Sequence, residues 1–123
     1  MSTIVTTSYG KVQGKIENGI YTWKGIPYAR APIGKLRFQP PQPPETWDGI
    51  KDCTEFGPVA YQPELPIMQF LGTPTQNMSE DCLNLNIWSP NPDDKKRPVL
   101  VWIHGGAFIS GSGSSPSYDG TQF

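Results

Sequence analysis

Five consecutive apolar residues, Val99-Leu100-Val101-Trp102-Ile103, run directly into His104-Gly105-Gly106, and this junction constrains the fold more than any other feature of the chain. A strand that is apolar on both faces belongs inside a sheet covered on both sides, typically by helices. The chain has little with which to make that cover. Its 13 glycines and 14 prolines in 123 residues are about twice the usual proportion, and only Ile67–Leu71 and the last few residues read as helical turns. The sequence therefore predicts the N-terminal portion of a larger α/β protein. The competing reading is a small all-β domain whose apolar strand packs against its own meander.

The rest of the chain divides into three stretches of one domain. Over residues 1–30, the runs Ile4–Thr7, Lys11–Ile16 and Ile20–Ile26 alternate as strands do, and Asn18-Gly19 marks a tight hairpin because its turn needs positive φ. A small antiparallel meander is expected there. Residues 31–82 are dense in proline, which removes backbone donors and biases the preceding residue away from helix, so ordered coil is expected. Tyr28, Phe38, Trp47, Phe56 and Tyr61 in and beside this stretch need a core to pack against. Residues 83–123 hold two strands, Leu83–Trp88 and Val99–Ile103, and the glycine loop that follows the second.

Charge excludes some partners. Lys plus Arg (10) nearly balances Asp plus Glu (11), so no field gathers phosphates and nucleic acid is not an expected partner. No run of 18 apolar residues and no basic leader with an apolar stretch is found, which reads as a cytoplasmic chain with no membrane contact. Two cysteines and one histidine are too few for a four-ligand zinc site. Neither metal nor cofactor is expected, and Cys53 and Cys82 read as reduced thiols.

The chemistry lies in His104-Gly105-Gly106-Ala107-Phe108. Glycines at a strand's exit let the chain turn sharply and point neighbouring N–H groups into one space, as an anion-binding nest requires. A loop of this kind after a strand supplies part of the oxyanion hole in lipases and esterases. A turn without a ligand is the alternative. A phosphate cradle over residues 105–113 is a weaker one, since no Lys follows the glycines and no helix begins there.

Three further segments give the loop its context: Ser79-Glu-Asp-Cys-Leu-Asn-Leu-Asn-Ile-Trp88, Trp23-Lys-Gly-Ile-Pro-Tyr-Ala29 and Leu36-Arg-Phe38. In this order, and over essentially the whole chain, they resemble the N-terminal part of the type-B carboxylesterases, with the bacterial para-nitrobenzyl esterase branch most similar. The resemblance implies an α/β-hydrolase fold, of which this chain is the mostly β and coil portion of a mixed central sheet. The helices would come from a C-terminal portion. It implies a serine esterase working through an acyl-enzyme on small-molecule esters, with the backbone N–H groups of Gly106 and Ala107 in the oxyanion hole. Gly105, Phe108, Ile109, Phe70 and Leu71 would line the substrate pocket, although Phe70, Leu71 and Met68 could equally close the chain's own core.

The same resemblance gives His104, Arg37 and Glu80 structural roles. Arg37 and Glu80 match a buried salt bridge, and a surface pair is the alternative. Cys82 matches one half of a disulfide found in secreted relatives, but the position of its mate here is Ala60, and Cys53 lies seven residues earlier. The sequon Asn77-Met78-Ser79 would matter only after export.

No nucleophile elbow of the form G-x-S-x-G occurs; Gly113-Ser114-Ser115-Pro116-Ser117 ends in Ser and carries Pro where a helix should begin. Nucleophile, acid and base are therefore expected on a complementary C-terminal polypeptide, leaving this chain silent alone. The reading from a different class is a binding or adhesion module of the same fold that has lost the triad, which predicts export and disulfides.

Overall fold

Asn18 and Gly19 both adopt positive φ, 50° and 82°, and close a two-residue turn between β3 (Lys15–Glu17) and β4 (Ile20–Pro27), with Glu17 opposite Ile20. This primed turn matches the twist of the strands it joins. The computed structural model describes residues 2–63 and 76–123. The helical turn expected at Ile67–Leu71, and with it Met68, Phe70 and Leu71, lies outside the described residues.

The N-terminal strands separate into two sheets where one meander was expected. β1 (Ile4–Thr6) pairs antiparallel with β2 (Lys11–Gln13), and β2 pairs parallel with β5 (Ile50–Asp52). β4 lies between β3 and β6 (Asn84–Ser89), antiparallel to both. The expected strand Lys11–Ile16 breaks at Gly14, where a Cβ would come within 2.1 Å of the Thr22 carbonyl oxygen. The two sheets cross there, and only glycine admits so close an approach. Cys53 joins them again, its N–H donating to Gln13 O at 2.8 Å and its carbonyl accepting from Lys24 N–H at 2.7 Å.

Alternation along β4 sends side chains to two different surroundings. Tyr21 and Trp23 stack with ring centroids 6.0 Å apart and form the core with the fully buried Val12 and Cys53. The Trp23 indole N–H donates to Thr3 O at 2.9 Å, so its one polar atom is satisfied. Thr22 and Lys24 are buried on the opposite face. There the Lys24 ammonium meets the Glu17 carboxylate at 2.7 Å and lies 4.5 Å from the Phe56 ring centroid.

β5 falls inside the stretch expected to be coil. All three of its residues are exposed, so no apolar pattern marks it. A short 3-10 turn, Gly34–Leu36, also lies there, and two more, Pro116–Tyr118 and Gly120–Gln122, come near the end. Leu83–Trp88 is a strand as expected, shifted by one residue to 84–89. Val99–Ile103 is not: among the described residues it pairs with no strand, and all five side chains are exposed. Among the described residues no strand edge pairs with it, and a backbone without ladder partners makes no strand.

Candidate functional site

The loop after Val99–Ile103 is a tight, left-handed turn. Gly106 has φ 133°, Ala107 53° and Phe108 63°, and the N–H groups of Ile109 and Ser110 both donate to Gly106 O, at 3.0 and 3.1 Å. Position 106 must be glycine, because a Cβ would fall 1.7 Å from Ser110 O. Ala107 and Phe108 have no such freedom; each L-residue in this region costs about 1–2 kcal/mol. Strain of this kind, when a structure retains it, gathers at ligand-binding and catalytic sites. Among the described residues, the N–H groups of Gly106 and Ala107 donate to no protein acceptor.

Three side-chain amides from distant segments hold the strand of chain that leaves the turn. Gln62 accepts from Gly111 N–H at 2.7 Å and donates to Gly111 O at 3.1 Å. Gln76 donates to the hydroxyls of Ser112 and Ser114, at 2.9 and 3.0 Å. Asn86, on β6, donates to Gly113 O at 3.2 Å while its oxygen accepts from Gly25 N–H, the left-handed residue of the β4 bulge, at 2.9 Å. Sequence reasoning does not find these three residues. Their partners lie 27 to 61 positions away, and no local spacing marks them.

The other candidate residues take these places. His104 is exposed, its Nδ1 2.8 Å from Gly105 O. Gly105, Phe108 and Ile109 are exposed beside the turn. Arg37 and Glu80 do form an ion pair, but their side chains are 52% and 40% exposed. In this chain the expected burial is not found, because Arg37 follows the exposed Gly34–Leu36 turn and water reaches both groups. Cys53 and Cys82 are free thiols, both pushed up from the ordinary cysteine range chiefly by burial. The serines of Gly113–Ser117 engage Gln76 and a 3-10 turn rather than a strand-to-helix elbow.

A groove of about 260 Å³, lined in part by Tyr28, Arg30, Leu36, Pro41 and Leu83, shares no residue with the turn. Among the described residues no three metal-ligating side chains converge, and no helix is long and apolar enough to cross a membrane.

Comparisons with known proteins agree with this architecture. The chain is 51% identical to a para-nitrobenzyl esterase of Bacillus subtilis over 97% of its length, and 44% identical to a phenmedipham hydrolase of Pseudarthrobacter oxydans over 94%. It spans 24% of the length of each. Among solved structures, the Geobacillus stearothermophilus carboxylesterase EST55 at pH 6.8 superposes with a TM-score of 0.83 at 56% identity, covering 97% of this chain and 23% of that one. A para-nitrobenzyl esterase superposes with a TM-score of 0.90 at 49% identity, covering 99% and 25%. These are α/β hydrolases, and the few-helix, mostly strand build seen here is that of an N-terminal portion of the fold. With residues 1–123 all matched by the sequence model of the carboxylesterase family, the chain belongs to that family.

Proposed function

We propose that this chain is the N-terminal part of a serine carboxylesterase and supplies two backbone donors to its oxyanion hole. The observation that carries the reading is the turn at Gly106–Phe108: two strained residues and two adjacent amides that no described acceptor occupies. In this mechanism a serine Oγ, on the complementary C-terminal polypeptide, attacks the ester carbonyl carbon while a histidine takes its proton. The carbonyl π pair moves onto oxygen, where the N–H groups of Gly106 and Ala107 donate to it. Collapse expels the alcohol, protonated by the histidine, and water then releases the acid from the acyl-enzyme. The donors act because their bonds are stronger to the tetrahedral oxyanion than to the ground-state ester.

Phe108, Ile109 and Gly105 wall the acyl or alcohol side of this pocket, and His104 fixes the loop rather than exchanging protons. The two free thiols support a cytoplasmic setting. They also count against an exported adhesion module.

The test uses 4-nitrophenyl butyrate. The chain alone should be silent, and the chain assembled with the polypeptide bearing Ser, acid and His should turn over. Proline cannot remove the Ala107 N–H cleanly, because its ring fixes φ near −65° and Ala107 stands at 53°. Replacing Ala107 with lactate by protein ligation deletes the N–H and leaves φ free. That replacement should lower kcat of the assembled enzyme by about a hundred- to a thousandfold. Near-parental kcat in a correctly assembled lactate variant overturns the oxyanion role.

A further inference from the structure

The geometry points to Gln62 as a positioning residue for the ester-hydrolysis reaction: by clamping Gly111, it sets where the Gly106 and Ala107 amides aim. This rests on the oxyanion reading above and adds to it a residue remote in sequence. Gln62 uses its whole carboxamide. Its oxygen accepts from Gly111 N–H at 2.7 Å, one N–H donates to Gly111 O at 3.1 Å, and the other reaches Ala60 O at 3.2 Å. Only one orientation of the amide satisfies all three. Rotated by half a turn, its oxygen would face two carbonyl oxygens, so the group is locked in place.

What it locks is the residue that ends the turn. Ser110 N–H and Ser110 Oγ both bond to Gly106 O, so Ser110 and Gly106 form one closed ring of chain, and Gly111 is the next residue. Gly111 is itself left-handed, with φ 96°, and packs so closely on Gly105 O and the His104 ring that a Cβ would come within 2.4 and 2.9 Å of them. Among the described residues, Gln62 provides the only hydrogen bonds from outside the loop to any residue of 104–111. Among the described residues, the strained Ala107 and Phe108 have no hydrogen-bond anchor of their own. Their pose depends on Gly106 at one side and the Ser110–Gly111 peptide at the other.

A donor that serves a transition state must hold its aim before the oxyanion forms, and misplacement by about 1 Å costs on the order of a hundredfold in rate. Gln62→Met keeps the length of the side chain and removes all three hydrogen bonds. Gln62→Glu keeps the acceptor for Gly111 N–H, removes both donors and is readily accommodated at a partly exposed site. Each is made in the assembled esterase and measured on 4-nitrophenyl butyrate, with a trifluoromethyl ketone as probe of the tetrahedral state and hydrogen exchange at the Gly111 amide as a direct reading of the clamp.

Both variants should melt as folded proteins, and Gln62→Met should expose the Gly111 amide to exchange. Their kcat should fall by about ten- to a hundredfold with KM within about threefold, and affinity for the trifluoromethyl ketone should fall by the same factor as kcat. A merely structural role would reduce the active fraction and leave the affinity of the remaining sites unchanged, which would overturn the proposal. So would an active parent whose Gln62 variants keep both kcat and ketone affinity. A parent that hydrolyses no ester overturns the catalytic reading itself, whatever the Gly111 amide does.

Discussion

Two tryptophans show how differently the two ends of this chain are held. Trp23, at 4% exposure, stacks on Tyr21, gives its N–H to Thr3 O and sits where two sheets meet. Trp102, at 65% exposure, touches one ring, Tyr118, with centroids 5.5 Å apart, inside a segment whose neighbours Val99 to Ile103 are all open to water. The first region buries a shared core of Val12, Tyr21, Trp23 and Cys53 and pairs its strands within residues 2–63 and 84–89, although Ile16, Leu85 and Ile87 stay exposed on it. The second has the composition of a sheet interior without its surroundings. Ladder pairing, rather than apolar content, makes a strand: β5 is fully exposed but pairs with β2, whereas Val99–Ile103, five apolar residues in a row, pairs with no strand among the described residues.

This contrast can be broken most directly by truncating each tryptophan in the chain alone. Trp23→Ala should cost about 3–5 kcal/mol, enough to abolish hydrogen-exchange protection of the β4 amides, while Trp102→Ala should shift it by less than about 1 kcal/mol. Equal effects would mean that the apolar run has found a core of its own. In the assembled esterase the Trp102 cost should rise towards that of Trp23.

A smaller effect is expected at the buried face of β4. Glu17 is held below the ordinary glutamate range, first by the hydrogen bond from Lys24, with Lys15 and Thr22 adding to it. A carboxyl with a lowered folded pKa stabilises above its unfolded value, about 4.3, and that stability is lost as pH falls through the folded value. Glu17→Gln should cost about 1–3 kcal/mol near neutrality, after allowance for a side chain one-third exposed, and should flatten the acid limb of the unfolding profile. An acid limb identical in parent and variant would place the pair's energy elsewhere.

In the open region the effects should be smaller still. Ala107→Gly relieves the left-handed strain but frees the unfolded chain, so stability should rise by no more than about 1 kcal/mol. A loss would show that the methyl group has a packing partner. Arg37→Ala should change stability by less than about 1 kcal/mol, as for other solvent-screened pairs. A cost of several kcal/mol in the assembled enzyme would show that the pair becomes buried there.

What could be read from the sequence is what depends on neighbours in sequence. Asn18-Gly19 specifies its turn through its own dihedral preferences, and β6 carries its alternation in Leu85 and Ile87. The glycine loop is legible through the steric need at Gly106. β5 was not legible because Ile50–Asp52 is short, exposed and paired only through its backbone to β2. The break at Gly14 depends on a carbonyl eight residues away that approaches only in the folded state. The left-handed poses of Ala107 and Phe108, and the Gln62 clamp, likewise arise from tertiary closure, and neither alanine nor glutamine announces such a role by type.

The arrangement of the second sheet also sets a timetable for synthesis. β3 and β4 close through a two-residue turn and can pair within microseconds of emerging, but the strand that covers the other edge of β4 begins at Asn84. Roughly 60 residues separate them, and at about 5–20 residues per second a ribosome needs several seconds to deliver β6. During that interval β4 offers an unpaired edge to any other chain nearby. The bulge between Trp23 and Ile26 lies along that edge. An irregular ladder discourages pairing with the wrong partner, so the residues that complicate the finished sheet also guard it while it is half made.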